Sequence, residues 1–141
     1  MNELSPLYEV SARAQGQIGC GKVVEFLPKN KWQWIPLPSN ARTSDRYDEY
    51  IVSGDSLEGI GIHDDYKLTC RTTFEIWEVK PNRVCIVLLL DTNEQTAKMV
   101  QINHEEETVT LIGANPNYKP KTYFYDEVQI LAIVEEVRRK I

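Results

Sequence analysis

Ile51-Val-Ser-Gly-Asp-Ser-Leu57 is the stretch whose reading governs the rest of the chain. A β-type apolar run, Tyr50–Val52, stops at Gly54-Asp55-Ser56, a turn that sets a serine hydroxyl at the end of a strand. Glycine gives the backbone the freedom such a turn needs. A serine exposed there acts as a nucleophile when a base reaches it. Taken alone, a serine in a turn more commonly hydrogen-bonds its own backbone, so the reading depends on the base the remaining sequence offers.

Outward from this turn, short strand-like runs follow one another. Val23–Leu27 comes first, stopped by Pro28, and Trp32–Ile35 alternates aromatic and polar residues before Pro36, as an edge strand does. Its two tryptophans read as a lid over the core rather than as a base-stacking platform. Residues 40–48 are polar and read as a loop. Leu57–Ile62 carries two glycines and reads as one short helical turn or a loop.

Tyr66–Thr73, Arg83–Leu90, Gln95–Ile102, Thr108–Ile112 and Val128–Val134 are rich in β-branched and apolar residues and read as strands, the last extending through Glu135–Lys140. Pro81-Asn82, Asp91–Glu94 and Asn103–Glu107 supply turns, and Asn115–Pro120 is a loop held by two prolines. Many short strands with almost no helix indicate an all-β domain, a β-sandwich or a partly closed barrel. Residues 1–22, small, polar and glycine-rich around Ser11–Gly21, read as a mobile N-terminal arm, with the β domain in residues 23–141.

Composition narrows the function classes. The chain has 141 residues, 42% hydrophobic and 26% charged, enough for one domain with a buried core. No apolar run reaches the roughly 20 residues of a membrane span, and the N-terminus lacks a secretory pattern. Three cysteines without C-x-x-C spacing suit free thiols in a reducing cytoplasm better than disulfides or a zinc site. A net charge of −5 argues against a broad nucleic-acid-binding face. No residue pattern calls for a metal or a cofactor.

A base for Ser56 has three candidates. His63 lies in an acidic turn and His104 beside three glutamates, and both read as solvent-facing. Lys98 is the third. In Ala97–Ile102 a period of two places Lys98 on the strand face of Val100 and Ile102, where desolvation favours the neutral amine. The opposite phase, with Ala97, Met99 and Gln101 inward, fits the same letters, as does a strand buried on both faces.

Together these segments resemble the LexA and UmuD group of self-cleaving Ser–Lys peptidases. Val52-Ser-Gly-Asp-Ser-Leu57 with Gly61-Ile62 and Asp64 is similar to the family's nucleophile segment, and Ala97-Lys98-Met99 to its lysine strand. Asn115–Pro120 resembles the following loop and Ile130–Val134 the closing strand. Ile18-Gly-Cys-Gly21 resembles the scissile site, an apolar residue followed by Cys-Gly or Ala-Gly. The order of cleavage site, serine and lysine is also the family's, and the likeness covers nearly the whole chain. Leu57 stands where the family usually has methionine, Glu94–Ala97 is a polar approach to the lysine strand where the family tends to have a β-branched residue beside the lysine, and His63–Tyr66 replaces a glycine-containing acidic turn. None of these removes a catalytic group.

The resemblance implies a LexA/signal-peptidase-like fold and autoproteolysis of the Cys20-Gly21 bond by a Ser56/Lys98 dyad. It implies a homodimer, activation by the RecA–single-stranded-DNA filament in the DNA-damage (SOS) response, and service to a translesion DNA polymerase. Nineteen residues before Cys20 are too few for a helix-turn-helix domain, so the likeness is to the short UmuD-like members, without direct sequence-specific DNA binding. The alternatives are the cleavage and dimerisation domain of a LexA-like or phage-type repressor, and a non-catalytic polymerase-binding module. Gly54-Asp-Ser-Leu57 also spells the signature of GDSL esterases, but neither histidine here has an aspartate three residues before it, and the helices of that fold are missing.

Overall fold

The computed structural model describes residues 16–19, 45–54, 57–63, 66–114, 117 and 119–139. Their strands are β1 (Gly16–Gly19), β2 (Tyr47–Ser53), β3 (Lys67–Arg71), β4 (Arg83–Leu89), β5 (Glu94–Asn103), β6 (Thr108–Ile112), β7 (Lys121–Phe124) and β8 (Val128–Arg138). Only short 3₁₀ turns interrupt them, so the chain is all-β as the sequence indicates. The strands form one sheet in the order β1-β2-β3-β8-β4-β5-β6-β7. Seven strands run antiparallel to their neighbours, and β1 joins the edge in parallel with β2. The sheet does not close, but it curls: edge strand β1 lies against β5, far from it in strand order.

The central strands show why the sheet carries a core on each face. Arg83–Leu89 is an almost unbroken apolar run, and Cys85, Ile86 and Val87 are fully buried, as expected of a strand covered on both sides. Ile86 joins a first cluster with Tyr50, Val52, Leu57, Leu68, Cys70 and Ala97. Cys85 and Val87 join a second with Val100, Val109, Leu111 and Ile133. Bulges between Thr69 and Cys70 and between Ile86 and Val87 shift the pairing with β8 and increase the local bend.

The turns follow their residues. Asn82 and Asn93 adopt left-handed backbone at φ 62° and 59°, which asparagine tolerates well. The Asn103 side chain accepts the amide N–H groups of Glu105 and Glu106 and folds the next turn back on itself.

Three expectations change. Tyr47 and Asp48 are not loop: β2 begins at Tyr47, and Tyr47, Asp48 and Glu49 are all buried. Tertiary partners make that burial feasible, with the Tyr47 hydroxyl donating to Asp45 and Lys67 beside Glu49 at 3.9 Å. Lys121–Phe124 is an additional strand, pairing antiparallel with β6. Within the residues read as an arm, Gly16–Gly19 is strand β1. The expected strands Val23–Leu27 and Trp32–Ile35 lie outside the described residues.

The segment 72–80 is clamped rather than loose. Arg71 donates to Glu78 at 3.0 Å, to Glu135 at 3.3 Å and to the Thr73 carbonyl at 2.7 Å, while Arg83 pairs with Glu135 at 3.2 Å. This network ties β3, β4 and β8 to one 3₁₀ turn. No helix among the described residues is long and apolar enough to cross a membrane.

Candidate active site

β2 delivers the serine turn. Its last residue, Ser53, is followed by Gly54 at φ 108°, a conformation that side chains disfavour and that the sequence assigned to glycine here. Ser56 itself lies outside the described residues, but the chain on both sides of it is placed. Leu57 is 2% exposed and belongs to the first cluster. Its carbonyl accepts the N–H groups of Ile60 and Ile62, which winds Glu58–Ile60 into a 3₁₀ turn. The Val52 N–H donates to the Tyr66 carbonyl at 2.8 Å and closes the base of the loop. A serine in this loop is thus bracketed by a strand end and by a buried leucine.

β5 delivers the lysine. Lys98 is the register partner of Cys85 on β4, at the centre of the sheet. It shares a strand face with Val100, a member of the second cluster, and with Ile102, which packs against that cluster. Ala97 faces the first cluster instead, so β5 is covered on both sides and Lys98 lies on the Val100 face. Lys98 lines a cleft of about 390 Å³ with Thr96, Leu89, Leu111, Gly113 and Tyr123. Thr96, two residues before Lys98 on the same face, is 4% exposed, and its hydroxyl has no hydrogen-bond partner among the described residues.

Leu57, the residue after Ser56, and Ala97, the residue before Lys98, belong to the same buried cluster, on the face of β5 opposite Lys98. Gly59, in the 3₁₀ turn, abuts the backbone of Ala114, which follows Gly113 of the Lys98 cleft.

The proposed scissile residues Cys20 and Gly21 also lie outside the described residues. Gly19, immediately before them, is the register partner of Ser53, and β1 as a whole lies against β5. β1, which leads to Cys20, thus touches both β2, whose end precedes the serine turn, and β5, which bears Lys98.

The histidines stand apart from this arrangement. His63 is exposed, 3.8 Å from Glu58 and edge-on to Tyr66. His104 is exposed and hydrogen-bonded to the Tyr125 hydroxyl at 3.1 Å. Burial pushes the thiol of Cys70 well above its usual range and that of Cys85 up to about 12, so neither is a ready nucleophile. Among the described residues no three His, Cys, Asp or Glu side chains are grouped to hold a metal ion.

A family model described as Peptidase S24-like matches residues 13–135, a span that contains Cys20, Gly21, Ser56 and Lys98. No curated protein matches the chain.

Proposed function

The chain belongs to the Peptidase S24-like family, that of the LexA and UmuD domain, and from that premise we propose that it is a serine peptidase that cuts its own Cys20-Gly21 bond. The neutral amine of Lys98 takes the proton of the Ser56 hydroxyl, and Ser56 Oγ attacks the Cys20 carbonyl carbon. The tetrahedral intermediate collapses as the Cys20–Gly21 C–N bond breaks. Lys98 returns the proton to the departing Gly21 amine, which becomes a new N-terminus. Water, activated by the same amine, then hydrolyses the ester on Ser56 and releases the Cys20 carboxylate.

The observation that carries this reading is the seating of the serine turn beside the lysine cleft: Gly59 lies against the Ala114 backbone, next to Gly113, which lines the cleft with Lys98. The β1–β2 pairing within one chain supports cleavage inside the subunit, because a tethered substrate strand gains in proximity what it lacks in binding surface.

The decisive experiment is incubation of the purified protein at about pH 9 to 10, near the lysine pKa, with intact mass as the readout. Wild type gives a fragment beginning at Gly21, Ser56→Ala gives none, and Lys98→Ala gives it about 10³-fold more slowly. A wild-type rate in Lys98→Ala removes the dyad.

The family's wider role extends the proposal to a UmuD-like accessory of a translesion DNA polymerase, working as a homodimer in the DNA-damage response. Its trigger is then the RecA–single-stranded-DNA filament. A self-cleavage rate unchanged by added filament would remove that part while leaving the peptidase.

A further inference from the structure

Three glycines shape the turn after β2, and they do so for different reasons. Gly54 and Gly61 have positive φ, and a Cβ on either would meet nothing within 4 Å. Gly59 is the reverse. A Cβ built there would overlap the Ala114 carbonyl oxygen, approach its carbon to 2.9 Å and meet the Ala114 Cβ at 3.3 Å. Gly59 is needed for space, and what occupies that space is the backbone at the end of β6. That end is itself fixed: Ile112 is the register partner of Met99, the neighbour of Lys98, and Gly113 lines the Lys98 cleft.

We propose that Gly59 is a positioning residue for the self-cleavage reaction: its missing side chain seats the serine turn directly on the Ala114 carbonyl and so sets Ser56 against Lys98. The inference rests on the Ser56/Lys98 reading above. The physical basis is the steepness of proximity effects. Leu57 holds the turn by packing, which fixes it against a cluster of side chains, whereas the Gly59 seat fixes it against backbone. A Cβ at position 59 lifts the turn away from β6 by the width of a methyl group. A displacement of about 1 Å at a reacting group costs on the order of 100-fold in rate.

The test compares wild type, Gly59→Ala, Glu58→Ala, Lys98→Ala and the Gly59→Ala/Lys98→Ala pair. Self-cleavage is followed by intact mass across the range where lysine deprotonates, about pH 9 to 11. Resistance of the buried Cys70 and Cys85 thiols to alkylation reports that each variant is folded. The expected result is a loss of about 100-fold in Gly59→Ala, wild-type rate in Glu58→Ala, and a pair no slower than Lys98→Ala alone.

Ala114→Gly keeps the carbonyl but gives the backbone that bears it more freedom, so it loosens the same seat without a clash and should slow cleavage several-fold in a folded protein, whatever Gly59→Ala does to folding. Wild-type rates in Gly59→Ala or in Ala114→Gly would overturn the inference alone. So would a Gly59→Ala loss that multiplies with that of Lys98→Ala, since two residues acting through one pairing do not add. A wild type inert at every pH, with and without added filament, would overturn the dyad reading and this inference with it.

Discussion

The two halves of the site are built on different terms. Lys98 sits mid-strand in β5, between β4 and β6, and both neighbours reach it through short turns. The second cluster behind its face comes largely from the continuous stretch of residues 79–133. The serine turn hangs from the end of β2 and is held by Leu57 and Ile62 in the first cluster, whose members run from Tyr50 to Val134. The lysine's place follows from local hairpins, while the serine's depends on packing between segments far apart in sequence. Damage to the second cluster should therefore cost stability, and damage to the first should cost stability and alignment together.

The largest expected effect falls on the half that is best fixed. Lys98→Met should slow self-cleavage by about 10³-fold, ~4 kcal/mol in barrier, the usual scale for a general base. Its melting temperature should stay close to wild type. Next comes a direct contrast of the halves: Leu57→Ala and Val100→Ala each leave a cavity costing about 2–4 kcal/mol, read by denaturant unfolding. Only Leu57→Ala should also slow cleavage by the folded fraction, and equal slowing in both would erase the distinction.

A smaller effect comes from pH. The unfolded chain loses its thiol protons near the ordinary cysteine value, while the folded protein holds that of Cys85 to about 12. Stability from this group is therefore full below the ordinary value and falls as pH rises toward the folded one, by ~1.4 kcal/mol for each unit. Thermal unfolding should decline through that window, with a shallower slope in Cys85→Ala. Smallest is Thr122→Ala on exposed β7, which removes the 2.9 Å hydroxyl contact with Thr110 and should change unfolding free energy by no more than about 0.5 kcal/mol.

The pattern of what was legible in the sequence follows the same divide. β6 matches its expected bounds, β4 and β5 match within a residue or so, and β5 is covered on both faces, one of the readings its letters allow. Local periodicity and turn residues decide such elements. The start of β2 was unreadable because Asp48 and Glu49 look like surface residues until Lys67 and the neighbouring strand cover them. β7 is short, largely exposed and interleaved with lysine and threonine, so no apolar period marks it. Gly54 showed its purpose in sequence because a strand end needs a turn. Gly59 did not, because its neighbour Ala114 is brought beside it only by the fold. Ser56, Cys20 and Gly21 lie outside the described residues, and their roles rest on the sequence and the family.

The parallel pairing of β1 with β2 carries a last consequence. Before cleavage, β1 stays on the sheet because the backbone ties it there. In the proposed reaction, scission at Cys20-Gly21 cuts that tie, and the four residues of β1 keep only their short pairing with β2. Departure would then follow first-order kinetics and return second-order, so dilution would make the proposed reaction run one way. Self-processing of this kind would act as a molecular ratchet whose spent substrate clears its own berth.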